Sequence, residues 1–227
     1  MKLLGVDTST KSFSLALGEN GKIGSSRNIT LKKVLSSSII PGIERLLEKE
    51  GETPSGLDGF VIGLGPGSFT SLRVGLSTIK ALAFVTKKPV VGISSLDAIA
   101  AQVKKDGKVC VLTDARRSLV YASFYEKKGE AVQRKGPYLL ATVEEVVKRI
   151  KNPVIFTGDG VKLFEDHIKK LCKMNKVDFS IEQEKYWLPQ ARSLIALSWE
   201  RFKHQQYDDL AALVPLYLYP EDCQVQK

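Results

Sequence analysis

Few residues in this chain have the chemistry to do catalysis. The two histidines, His167 and His204, are far apart and neither has a second histidine nearby. No HxxxH or HExxH spacing occurs, so local spacing cannot preorganise a mononuclear metal site. Cys110, Cys172 and Cys223 are isolated and odd in number, which leaves no disulfide framework and no CxxC knuckle. Cys110 lies in the apolar run from Val109 to Leu112 and reads as a buried, inert thiol. Two carboxylates sit in similar surroundings, Asp7 in Asp7-Thr8-Ser9 and Asp114 in Asp114-Ala115-Arg116. Asp and Ser are favoured in such turns for their own hydrogen bonds, and two carboxylates alone make a thin magnesium site. The residue inventory therefore assigns no catalytic group and no metal ligand.

The stretch richest in information runs from Gly63 to Gly75, GLGPGSFTSLRVG. A buried strand enters a Gly-rich loop, and the loop opens a helix. Backbone N–H groups at such a start attract anions. The lysine that a Walker A loop needs after its last glycine is missing. A tight turn with Thr70 or Ser71 as N-cap accounts for the same residues without any ligand.

The elements that would position these groups come in the same order twice. Lys2 to Val6 is a short apolar strand. Ser12 to Gly18 alternates as a half-buried strand does, and Glu19-Asn20-Gly21-Lys22 supplies a hairpin turn with Asn-Gly suited to positive φ. A strand at about 23–28 follows, then a helix over about 32–49, a strand at 60–64, a helix at 71–86, a strand at 89–93 and a helix at 96–104. The second half offers strands at 108–114, 119–126 and 131–135, a helix capped by Thr142 and Glu145, a strand at 153–157, a helix at 161–172, a strand near 177–181 and a helix over 190–204. Each half is βββαβαβα. The expected division is 1–106 and 107–227, joined at Lys105-Asp106-Gly107.

Three antiparallel strands followed by two βα crossovers give a mixed α/β sheet with helices on both faces. Two such units resemble the actin, sugar kinase and Hsp70 (ASKHA) superfamily. That resemblance implies a nucleotide cleft between the halves, with Asp7, Thr8 and Asp114 at its edge as a vestigial cofactor-binding set.

The 227 residues carry 34 basic and 25 acidic side chains, net +9. That charge suits a nucleic-acid partner, yet along the chain it is spread evenly. No apolar run approaches the ~20 residues of a membrane helix. The opening MKLLGVDTSTKS is too short and too interrupted for a signal peptide, so a cytoplasmic protein with no membrane partner is expected.

Several motifs in order resemble one family. Asp7-Thr8-Ser9 with Ser14-Leu15-Ala16-Leu17, then Gly65-Pro66-Gly67-Ser68-Phe69-Thr70 with Leu72-Arg73, Gly92-Ile93-Ser94-Ser95-Leu96, Asp114-Ala115-Arg116, Val120-Tyr121, Gly158-Asp159-Gly160 and Pro215-Leu216-Tyr217-Leu218 resemble TsaB (YeaZ), a subunit of the bacterial tRNA threonylcarbamoyladenosine (t6A) synthase. The likeness covers essentially the whole chain. It departs at Ser71, where the family often has Gly, and at Lys32-Lys33-Val34, where it often has His. The resemblance implies a non-catalytic subunit without a cofactor. It also implies a heterodimer with the catalytic, metal-bearing paralogue TsaD, an ATPase partner TsaE, a homodimer in isolation, and tRNA bound through the complex.

The helix after the Gly-rich loop carries two apolar stripes at 100° per residue. Leu72, Leu76, Ile79 and Ala83 form one. Val74, Ala81 and Val85 form the other, with the small Ser71, Gly75 and Thr78. The first helix carries Leu35, Ile39, Ile40, Ile43, Leu46 and Leu47, and Pro41 is expected to kink it. The resemblance implies that these two helices pack on the partner, and the partner surface is expected to hold Leu35, Ile39, Ile43, Ser68, Phe69, Thr70, Ser71, Arg73, Val74, Gly75 and Thr78, with Gly75 admitting a facing helix. A free-standing ASKHA-type enzyme would need a catalytic base and a complete phosphate set. A glycoprotease-like peptidase would need zinc or a nucleophile beside a base. The residues supply neither.

Overall fold

The structure, a computed structural model, describes residues 1–30, 34–151 and 153–219. Lys32, Lys33 and Cys223 lie outside them. The described chain forms two compact units, one of Met1–Ala98 with Pro189–Leu216, the other of 99–188 with 217–219.

The first unit holds β1 (Lys2–Asp7), β2 (Ser12–Glu19), β3 (Lys22–Thr30), α1 (Ile39–Lys49), β4 (Gly59–Gly63), α2 (Phe69–Thr86) and β5 (Val90–Ile93). Its sheet order is β3-β2-β1-β4-β5. β1 to β3 pair antiparallel, and β4 and β5 continue in parallel. Chain continuity through α3 (Ser95–Ala100) leads to the second unit: β6 (Gly107–Arg116), β7 (Leu119–Lys128), β8 (Ala131–Arg134), β9 (Leu139–Ala141), α4 (Val143–Val147), β10 (Val154–Thr157), α5 (Gly160–Met174) and β11 (Phe179–Ile181). Its order, β8-β7-β6-β10-β11, repeats that of the first sheet, and β9 adds to β7. The strand β9 was not expected; three residues are too few to show a period.

Three local readings change. A 3-10 turn at Leu35–Ser37 precedes α1, which starts only at Ile39. Pro41 thus falls in the first turn, where its missing N–H would have had no helical partner, and it kinks nothing. The helix α6 (Ala191–Lys203) packs on β1, β2, β4 and β5 of the first sheet, not on the second. Leu194, Ile195 and Phe202 form a core with Leu3, Ala16, Val61 and Val91. The fit depends on glycine: a Cβ at Gly5 would stand 2.8 Å from the Ala191 carbonyl oxygen and 2.9 Å from Ile195. The opposite face of that sheet is covered by α1 and α2 through Ile39, Ile43, Leu46, Leu76 and Ile79.

In the second unit, Thr142 and Glu145 close the expected capping box on α4. Cys110, Leu112, Phe156, Val161, Ile168 and Cys172 lie together in its core. Burial pushes the Cys110 thiol well above its ordinary range, as an inert core thiol requires. Among the described residues no helix is long and apolar enough to cross a membrane.

Candidate functional site

Asp7-Thr8-Ser9 and the Gly-rich loop are not separate features. They interlock inside the first unit. Asp7 Oδ1 accepts from the Ser9 N–H at 2.9 Å and the Ser9 hydroxyl at 2.7 Å, and Oδ2 accepts from the Ser95 hydroxyl at 2.6 Å. Ser95 Oγ in turn accepts from the Gly65 N–H at 3.1 Å. The Gly65 carbonyl accepts from Ser95 N–H at 2.8 Å and the Ser94 hydroxyl at 3.2 Å. Ser68 N–H donates to the Ser9 carbonyl at 2.8 Å. Gly65 needs its glycine for φ +86, and Gly63 leaves the space that the Asp7 carboxylate occupies.

Asp7 and Thr8 lie inside the first unit. Each is only 1% exposed. Burial raises the Asp7 carboxyl above its ordinary value, and the three hydrogen bonds pull it back. Thr8 spends its hydroxyl on the Ser71 carbonyl, 2.9 Å away. Both groups hold the loop that starts α2.

In the second unit the equivalent turn is more open. The Asp114 N–H donates to Asp159 Oδ1 at 3.1 Å, and its own carboxylate accepts from Arg116 N–H at 2.8 Å and meets the Arg116 guanidinium at 3.2 Å. Burial is the main force raising the Asp159 carboxyl, with the charge of Asp114 adding to it. His167 pairs with Glu144 at 2.8 Å and His204 lies 3.7 Å from Glu200, so each belongs to a surface helix pair.

The helix α2 has a buried side and an exposed side, with Gly75 and Val74 of the second stripe falling toward the core. Leu72, Gly75, Leu76, Ile79 and Ala83 are buried. Val74 and Thr78 are half-buried and Ala81 is exposed, while Phe84 and Val85 are 76% and 78% exposed. Beside them is an apolar groove of about 640 Å³ lined by Ile40, Pro54, Ser55, Ser77, Thr78, Ala81, Leu82, Val85 and Thr86. At the helix start Ser68, Phe69, Thr70 and Arg73 are exposed and Ser71 is half-buried. The Arg73 guanidinium stacks 3.8 Å above the Phe69 ring, and Ser68 donates to Ser71 at 3.0 Å.

Four expected surface residues prove internal. Leu35, Ile39 and Ile43 belong to the core under the first sheet. Gly75 faces Thr8: a Cβ there would overlap Thr8 Oγ1 and stand 2.8 Å from its Cγ2. Its missing side chain admits a neighbour from the same unit. Conversely Ile40, Phe84 and Val85 carry the exposed face and were not among the expected set. Ile40 and Val85 already stand in the apolar stripes of their helices, whereas Phe84 stands in neither.

Two mixed sheets of one repeated order, each with helices laid on it, define an α/β protein of the ASKHA fold. A ROK family protein from Streptococcus pneumoniae TIGR4 superposes with a TM-score of 0.51 at 8% identity, over 89% of this chain and 100% of that one. Closer in shape is YeaZ from Pseudomonas aeruginosa, with a TM-score of 0.77 at 23% identity over 96% of this chain and 99% of that one. In sequence, the tRNA threonylcarbamoyladenosine biosynthesis protein TsaB of Bacillus subtilis is 29% identical over 222 residues, 96% of this chain and 94% of its own. A family model described as TsaD, tRNA N6-adenosine threonylcarbamoyltransferase, matches residues 30–225. The chain belongs to this family, on its TsaB (YeaZ) branch.

Proposed function

We propose that the chain is an accessory, non-catalytic, cytoplasmic subunit required for t6A formation at the adenosine next to the anticodon. It acts by dimerising with the catalytic paralogue TsaD. The observation that supports this reading is the outward face of α2. Phe84 and Val85 stand in water, and Val85 lines an apolar groove, although α2 already buries a full stripe in its own core. Surface side chains of that size, contiguous with an apolar groove, mark an interaction site more often than a free surface. The occupied interior around Asp7 and Thr8 supports an accessory role, because these groups are committed to the loop. TsaE joins the assembly, tRNA reaches it through the complex, and the same α2 face closes a homodimer when the chain is alone.

The test is Val85→Glu, purified with and without the TsaD of the same organism. Expected is a melting temperature close to the parent's, because the site is exposed, with loss of co-elution with TsaD and of t6A in a deletion strain. Retained t6A with unchanged co-elution would reject the α2 face as the interface.

A further inference from the structure

The even spread of charge along the chain conceals a concentration in space. The helix α4 ends into β10, and α5 ends into β11. These two strands are parallel neighbours, Val154 beside Phe179, so both helices deliver their C-terminal ends to the same edge of the second unit. Lys148, Arg149 and Lys151 follow the first helix, and Lys170, Lys173 and Lys176 close the second. All six are exposed, and among the described residues none is in an ion pair. The acidic Asp178 lies at the same edge, and Lys169 is already matched by Glu165 at 2.6 Å.

Helix dipoles favour cations at C-termini, but each terminus carries only about half an elementary charge. Two helices therefore absorb about one of the six positive charges, and Asp178 absorbs about one more. Glu144, which meets His167 at 2.8 Å, also feels the charge of Lys148, and about four charges remain outside any ion pair among the described residues. A patch of that size raises the local concentration of a polyanion.

We propose that this edge of the second unit is a docking surface for the phosphate backbone of RNA. It rests on the t6A reading for the identity of that RNA as tRNA. A membrane surface fits less well. An interfacial helix needs a broad free apolar face, and α5 spends Val161, Ile168 and Cys172 on the core, leaving Leu163 and Met174 as its exposed large apolar residues.

The experiment measures binding of the full chain to an unmodified tRNA transcript across a salt series, beside anionic phospholipid vesicles. Engagement of about four phosphates gives a log–log salt slope of roughly −3 to −4, or roughly 100-fold weaker binding between 50 and 200 mM salt. Lys170→Glu with Lys173→Glu is expected to weaken tRNA binding at least tenfold and to flatten the slope by about 2. Lys11→Glu with Lys22→Glu makes the same net charge change on exposed residues of the first unit and is expected to cost under threefold. Equal losses in the two pairs, binding to vesicles but not tRNA, or no binding at all would each overturn the proposal. None of these outcomes touches the t6A reading, which is tested by TsaD co-elution and by t6A content.

Discussion

Replacing Gly75 by alanine tests the contact that sets the start of α2. On helix propensity alone, alanine at a mid-helix glycine gains about 1 kcal/mol. The structure reverses that sign. The new methyl would overlap Thr8 Oγ1 and stand 2.8 Å from Thr8 Cγ2 and 3.1 Å from Thr8 Cβ. Thr8 is buried, so it cannot swing into solvent. Overpacking of this kind costs about 1–3 kcal/mol. Displacing the hydroxyl from the Ser71 carbonyl forfeits a hydrogen bond of about 1 kcal/mol. Set against the propensity gain, the net is a destabilisation of about 1–3 kcal/mol. For a chain of this size that lowers the melting temperature by roughly 2–12 °C. Thermal denaturation of the parent, Gly75→Ala, Thr8→Ala and the double variant gives a double-mutant cycle. The steric account requires a coupling of about 2–4 kcal/mol, because Thr8→Ala removes the two atoms nearest the new methyl and leaves the propensity gain. A Gly75→Ala variant as stable as the parent, or additive effects in the cycle, would refute the reasoning. Gly75→Arg should melt lower still, so its effect on tRNA modification would report folding and not a lost partner contact.

Three further outcomes follow from other sites. Asp7 has a raised folded pKa, so its proton is bound more tightly in the folded chain; stability from this group is greatest below the unfolded value near 3.8 and is lost as pH rises through the raised value. Melting curves across that window should therefore show Asp7→Asn gaining on the parent as pH rises, and a constant difference would exclude the burial effect. Arg201→Ala should cost roughly 1–3 kcal/mol in chemical denaturation, since its guanidinium holds Asp208 at 2.8 Å while Asp208 accepts the Gly92 N–H at 2.7 Å; a cost below about 0.5 kcal/mol would count against it. Phe84→Ser should leave the melting temperature within about 2 °C and shift the isolated chain toward monomer in light scattering, because this ring is exposed on the unpaired face; an unchanged dimer would argue for another contact.

Much of the repeat was legible because hairpin turns and short apolar strands have local signatures. Asn20-Gly21, the Thr142 capping box and the strand at Phe60 each announce themselves within a few residues. Placement was harder. The helix α6 has its apolar residues at helical spacing, but spacing does not say which sheet receives them; the small Gly5 and Ala16 were the only hint. Burial of Asp7 left no local sign either, since an aspartate followed by Thr-Ser reads as a solvated turn. What buries it comes from Gly63 and Ser95, distant in sequence. The same holds for Gly75. Its lack of a side chain was rightly read as room for a neighbour, yet that neighbour is Thr8 of the same unit. The basic edge escaped for the converse reason: its six charges lie in two segments that only the parallel pairing of β10 and β11 brings together.

The return of α6 to the first sheet has a consequence for biosynthesis. The ribosome releases β1 to β5 first, but the helix that covers Leu3, Ala16, Val61 and Val91 is made only after the whole span Ile99–Leu188. At ~5–20 residues per second, that apolar face waits about 5–20 s for its cover. The second unit's sheet is complete at Ile181, before α6 exists. The later-encoded sheet is thus free to close first, and the nascent N-terminal half carries that apolar face uncovered throughout the interval.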